Sequence, residues 1–237
     1  VRATARAVGA EFLGSALLAA IVIGSGIMAQ QLSPRDVGLQ LFENAFATAL
    51  GLGVLILILQ PVSGAHFNPA VTIADIVLHR RPWSVAGVYL PAQIAGCIAG
   101  AVLANLMFGL AAVSWSTTDR ADGPRLLSEV IATAGLVFLI FALVCTGRGH
   151  LAAPAVGAYI GAAYFFTSST SFANPAITIG RAFSDTFAGI APTSVLPFIV
   201  AQLVGAGVGV AVALALFPLA KRAPDGLDVV AQADPRT

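Results

Sequence analysis

Two stretches decide the fold: SGAHFNPAVTIAD at residues 63–75 and SFANPAITIGR at residues 171–181. Asn-Pro-Ala stands at 68–70 and returns at 174–176, an offset of 106. Asparagine accepts the free N–H groups of a first helical turn, and proline fits that turn because the N–H it lacks would be unpaired there. Each triplet therefore reads as a helix start. The apolar residues around it, 68–78 and 174–183, give about ten residues or about 15 Å of helix. Neither piece is long enough to cross a bilayer, which takes about 20 apolar residues. The surroundings repeat as well. Glu11 and Glu129 each lie in an apolar segment ahead of a triplet, and Gln93 and Gln202 each follow one. Both glutamines have glycines three and seven residues on, Gly96 and Gly100, then Gly205 and Gly209. That spacing lets two helix backbones approach closely.

Of the 237 residues, 58% are hydrophobic and 10% charged, with a mean hydropathy of +0.90. Soluble domains carry about 25% charged residues, so the composition points to a membrane domain and excludes a disordered chain. Twelve Lys and Arg against eleven Asp and Glu leave no basic field for nucleic acid. Six long apolar segments are read at 7–29, 39–60, 84–110, 126–146, 151–167 and 194–219. The expected fold class is an all-α polytopic membrane protein with six transmembrane helices and two re-entrant half-helices. One domain fills 1–237, with repeat halves at about 7–110 and about 126–219 and a cytoplasmic tail at 220–237. Three spans per half set the halves in opposite orientation, an inverted repeat. Eight of the twelve Lys and Arg fall on the side of both termini, which places the termini in the cytoplasm. Cys97 and Cys145 read as buried small residues. The chain shows no nucleophile–base pair, metal cluster or phosphate loop, so neither enzyme activity nor a cofactor nor a metal is expected.

Half-helices that enter from opposite sides meet N-terminus to N-terminus near the bilayer midplane. Each end carries about half a positive charge, and the pair repels cations, hydronium included. Asn68 and Asn174 would present amide donors there, with Pro69, Ala70, Pro175 and Ala176 completing the constriction. The residues before them, Gly64, Ala65 and His66 in one half and Thr170, Ser171 and Phe172 in the other, would be irregular backbone. Such backbone is tolerated at membrane depth only where it lines a polar cavity. His66 either lines that cavity or braces its loop. Glu11 and Glu129 are costly in lipid. They either accept N–H groups of the two loops or carry protons in a coupled carrier.

The two stretches, the six segments and the Glu and Gln pairs resemble the aquaporin and aquaglyceroporin family, the major intrinsic proteins, over about residues 7–219. The resemblance implies a right-handed bundle with one pore per monomer, a homotetramer, and passive conduction of small neutral solutes without a cofactor. In most of the family an arginine follows the second Asn-Pro-Ala and narrows the outer filter. Here Ile177 stands there. Counting back without gaps, the other filter positions are Ser171, Ala162 and Thr48, or Leu50 if two residues are inserted. These small and medium residues imply a wider, less polar constriction than a water-selective channel has. Arg181, four residues beyond Ile177, either replaces the missing charge at the outer mouth or pairs with Asp185. The stretch NPAITIGRAFSDTFAGIAP is similar to bacterial aquaglyceroporins of arsenic-resistance operons that lack the filter arginine. That similarity implies passage of glycerol-like polyols, arsenite and methylated arsenicals, with water, across the inner (plasma) membrane. The other readings are a water-selective aquaporin and a proton-coupled secondary transporter.

Overall fold

The computed structural model describes residues 4–79 and 81–217. The tail at 220–237 and five of the basic residues used for orientation (Arg2, Arg80, Lys221, Arg222 and Arg236) lie outside the described residues. Eight helices follow one another: α1 (Ala5–Leu32), α2 (Val37–Ser63), α3 (Pro69–His79), α4 (Ser84–Met107), α5 (Gly123–Cys145), α6 (Ala152–Phe166), α7 (Pro175–Arg181) and α8 (Pro192–Leu216). A single 3₁₀ turn, Gly149–Leu151, leads into α6. No strand occurs among the described residues.

Local chemistry sets the ends. Thr4, Asp36 and Asp122 each accept an N–H of the first turn that follows, from Ala7, Leu39 and Arg125, which satisfies donors that a helix leaves unpaired. α2 stops at Gly64, whose φ of 103° lies in the left-handed region that glycine enters at little cost. Helices α1, α2, α4, α5 and α8 are long and apolar enough to cross a membrane. α6, within the segment read as 151–167, has only 15 residues, because the 3₁₀ turn takes its start and Thr167 is already extended. α7 also ends early, at Arg181 rather than 183. The chain there leaves the helix so that the carbonyls of Ala182 and Phe183 can accept the N–H groups of Ser116 and Ser114.

The repeat is visible in the packing. α1 packs on α4 as α5 packs on α8, and α2 packs on α6 between them. A Cβ added at Gly96 or Gly100 would run into the carbonyls of Phe12 and Ala16; at Gly205 or Gly209 it would meet those of Val130 and Ala134. The carbonyls repeat with the 118-residue offset that separates Glu11 from Glu129, and the glycines with the 109-residue offset that separates Gln93 from Gln202. Small residues thus bring each helix pair to backbone contact. The interior is built largely of alanine and β-branched side chains, and one apolar cluster joins both halves. Large apolar side chains, Leu57, Leu127 and Leu196 among them, instead face outward at 63–68% exposure, an arrangement that suits lipid rather than water. Cys97 is buried as expected, whereas Cys145 is exposed because it closes α5 at the surface of the bundle.

Candidate functional site

The two Asn-Pro-Ala turns meet head to head. Asn68 donates its side-chain N–H to the carbonyl of Ala173, and Asn174 donates to that of Phe67, both at 2.7 Å. Each side-chain oxygen meanwhile accepts from its own helix: Asn68 from Ala70 N–H, Asn174 from Ala176 and Ile177 N–H. A primary amide carries two N–H groups, so one on each asparagine is left over for the space beside it. Both asparagines line a cavity there. Pro69, Ala70, Pro175 and Ala176 are buried behind them and do not form its wall.

Ahead of each asparagine the backbone takes positive φ at matching steps: Gly64 with Thr170, Ala65 with Ser171, Phe67 with Ala173. Five of these six are not glycine, and each such residue costs about 1–2 kcal/mol. The two buried glutamates hold these loops. Glu11 accepts the N–H of His66 at 3.0 Å and of Phe67 at 2.7 Å, the Ser63 hydroxyl and the Gln93 amide. Glu129 accepts the N–H of Phe172 and of Ala173 at 2.9 Å, the Ser169 hydroxyl and the Gln202 amide. Each glutamine also donates to a threonine of the short helix, Gln93 to Thr72 and Gln202 to Thr178. Both glutamates are fully buried, and neither stands on the cavity wall. The arrangement gives both glutamates and the loop N–H groups they hold their partners, while the side-chain oxygens of Gln93 and Gln202 are buried without one.

The cavity holds about 100 Å³, and about 10–15 Å³ suffices for one water, so there is room for several waters or one small solute. Gly64, Ala65, His66, Ser171 and Phe172 line it, together with Thr48, Ile177 and Arg181. Thr170 does not; its N–H donates to the carbonyl of Thr167. Ala162 is a correction: it is exposed on the outward face of α6. Ile160 and Tyr164 form that wall instead. The Tyr164 hydroxyl donates to Thr48 Oγ1 at 3.2 Å. Leu50 points outward at 57% exposure, so of the two alternatives Thr48 is the one on the wall, which α2 also lines with Leu52, Ile56 and Gln60.

Charge sits at two further places on the wall. Asp75 of α3 holds the His79 ring and the Arg81 side chain, each at 2.8 Å, with His66 Nε2 at 4.0 Å. His66 is braced by Thr72 at 3.1 Å and lines the cavity as well. Arg181 is only 2% exposed. Its Nε donates to the carbonyl of Ala188, and its guanidinium lies 3.4 Å from the centre of the Phe172 ring. The expected alternative, an ion pair with Asp185, is absent, since Asp185 accepts from Thr117 instead.

The family model for major intrinsic proteins matches residues 2–173. The chain belongs to the major intrinsic protein family. It is 47% identical over 199 residues to the aquaglyceroporin AqpS of Rhizobium meliloti (strain 1021), covering 83% of this chain and 84% of that protein. It is 32% identical to aquaporin-2 of Rattus norvegicus, covering 99% of this chain and 88% of the relative. The X-ray structure of the aquaglyceroporin from Plasmodium falciparum superposes with a TM-score of 0.66 at 22% identity, over 87% of this chain and 93% of that one, which speaks to the fold. The protein is an integral membrane protein of a channel family, and its relatives are channels, not enzymes.

In this major intrinsic protein, three wall or near-wall residues escaped the reading of the sequence. Asp75 lies in the quoted stretch, seven residues after Asn68, where its helical position was a usable signal. Tyr164 needed the correct face of α6. Arg120 reaches the site from the segment between α4 and α5: its guanidinium lies 5.3 Å from the centre of the same Phe172 ring. Burial pulls Arg120 down to about 10, so it stays charged at neutral pH. No local pattern in that segment announces this contact.

Proposed function

We propose that this chain is a passive channel for small neutral solutes: glycerol-like polyols, arsenite in its neutral As(OH)₃ form and methylated arsenicals, with water. Its spans are α1, α2, α4, α5, α6 and α8, with α3 and α7 as re-entrant halves. The 3₁₀ turn and α6 together cover about 28 Å, close to the about 30 Å of a bilayer core. Both termini are cytoplasmic, the membrane is the inner one, and four copies assemble as a homotetramer, each with its own pore between its two repeat halves.

The observation that carries this reading is Ile177. It stands on the cavity wall immediately after the second Asn-Pro-Ala, and it shares that wall with the hydroxyls of Thr48, Tyr164 and Ser171 and with Arg181. An apolar side chain at that step leaves width and suits a solute with several hydroxyls and no charge. The relative named an aquaglyceroporin, 47% identical over most of the chain, supports the same reading.

Stopped-flow light scattering on proteoliposomes at matched protein density tests it, with water, glycerol and uncharged arsenite as solutes and Ile177→Arg beside the unmodified chain. The expected result is passage of all three, with glycerol and arsenite reduced more than water by the substitution. If only water passes and Ile177→Arg changes nothing, the protein is a water channel and Ile177 is not at the constriction.

A further inference from the structure

The first repeat places two side chains on the cavity wall that the second repeat does without. The 106-residue offset between the asparagines maps His66 onto Phe172 and Asp75 onto Arg181. The two loops are held alike, by Glu11 and by Glu129, so the backbone does not itself require an imidazole and a carboxylate here. Both residues line the cavity, and His66 Nε2 stands 4.0 Å from Asp75 Oδ2. That is too far for a direct hydrogen bond.

The bonds around Thr72 set what the ring offers. The Thr72 hydroxyl donates to the carbonyl of Asn68 and accepts from Gln93. Thr178 makes the same two bonds in the second repeat, to Asn174 and from Gln202, where no histidine competes for its hydrogen. The Thr72 hydrogen is therefore committed to the carbonyl. The 3.1 Å contact between Thr72 Oγ1 and His66 Nδ1 then takes its hydrogen from the ring. A neutral imidazole with its proton on Nδ1 keeps a lone pair on Nε2.

The carboxylate offers a second acceptor. Asp75 Oδ1 faces His79 Nδ1 at 2.8 Å. Arg81 Nε approaches Oδ2 at 2.8 Å as an ion pair, yet that oxygen is buried with no hydrogen-bond donor aligned on it. Two acceptors thus share one wall, and no donor among the described residues serves either. A buried acceptor left in that state is costly. His66, Asp75 and His79 do not converge as a set of metal ligands. The pair is completed by a molecule that brings two O–H groups side by side, on adjacent carbons or on one central atom.

We propose that Asp75 and His66 form a solute subsite on the α3 side of the asparagine pair, which accepts two hydroxyl hydrogens of a neutral polyhydroxy solute. Asp75 lies seven residues beyond Asn68, about 10 Å of helix, so the subsite stands on the opposite arm of the file from Ile177. This inference rests on the channel reading above.

The test uses the full chain in proteoliposomes with Asp75→Asn and His66→Phe, each first checked for a monodisperse peak in detergent. Water flux under a sucrose gradient is measured with rising glycerol, equal on both sides, after subtraction of protein-free vesicles in the same medium. A solute held in a single file slows water, and the half-blocking concentration reads its affinity. That concentration is a ratio within one preparation, so a smaller number of folded copies does not move it. Asp75→Asn is expected to raise it about tenfold or more, as a bond to a charged acceptor is lost. His66→Phe keeps a ring against Tyr89 and is expected to raise it about three- to tenfold, the worth of one neutral hydrogen bond. An unchanged value in either folded variant overturns the proposal, as does glycerol that crosses with the unmodified chain without slowing water. If Asp75→Asn does not fold, His66→Phe decides alone. Absence of glycerol flux in the unmodified chain refutes the proposed solute range, and this subsite with it, before any variant is compared.

Discussion

Asp75 and Arg181 stand at the same step of the two short helices, each seven residues after its asparagine, and put opposite charges on the wall of one cavity. The repeat is symmetric in backbone and antisymmetric in charge. Asp75 is buried and holds two cationic or protonatable partners that are about a quarter exposed. Asp75→Asn keeps the volume and removes the charge. It should cost about 1–3 kcal/mol, below the range for a fully buried pair because water partly screens His79 and Arg81. Thermal unfolding in detergent reads this as a lower midpoint. Glycerol flux in the variant should stay indifferent to a pH gradient; gradient-driven uptake that Asp75→Asn abolishes would mark a coupled carrier.

Glu129 accepts four hydrogen bonds, two from backbone N–H groups of the strained loop. Glu129→Gln turns one acceptor into a donor that faces other donors. A loss of about 2–4 kcal/mol is expected, since the bonds are charge-assisted and the site is dry. Glu11→Gln should behave alike, because its four bonds match one for one. The measurement is thermal aggregation of the purified variants. Equal and unperturbed midpoints would show that the glutamates do not carry the loops.

A leucine at Gly100 or Gly209 would push its side chain into the backbone of the facing helix, at Ala16 and Ala134. Either substitution should cost about 3 kcal/mol or more, at the upper end for an overpacked contact. Gly207→Leu is the control, since a Cβ there meets nothing within 4 Å, and it should leave the unfolding midpoint unchanged. The comparison of the three midpoints checks close packing against mere helix propensity.

Asp119 anchors the segment between α4 and α5, where it accepts from the Ser194 hydroxyl at 2.6 Å and from Ala121 N–H. Those bonds hold its carboxyl below the ordinary 3.8. A lowered value means that the anchoring is present above the unfolded pKa and lost as pH falls through the folded one. Hydrogen exchange over residues 116–121 should therefore be flat from pH 8 to about pH 5, after correction for intrinsic rates, and rise only below about pH 4. A rise already near pH 6 would place the anchor elsewhere.

Much of this architecture is legible in the chain because the motif occurs twice. One Asn-Pro-Ala could cap any helix. Two, in register with Glu11 and Glu129 before and Gln93 and Gln202 after, imply facing half-helices, and the reciprocal asparagine bonds have that form. The face of α6 was not legible. Counting back from Asn174 crosses Ala173, Ser171 and Thr170, all at positive φ, where the 100° step of a helix does not apply. Ala162 therefore fell on the outside, and Tyr164 was missed. The pairing of Arg181 with Asp185 failed for a related reason: α7 ends at Arg181, so a residue four places on is no longer its neighbour. The carbonyls that do hold Arg181 and Arg120 come from a loop whose path local spacing does not reveal.

The exchanged bonds between the asparagines have a consequence for how this chain can change. Asn68 is satisfied by a carbonyl of the second repeat and Asn174 by one of the first, so the aperture is jointly owned. Neither repeat can widen its own side while the other stays put: a shift in one loop moves the acceptor on which its counterpart depends. Drift in one half must be answered in the other, and the two copies of the motif inherit as a pair, like the halves of a clasp.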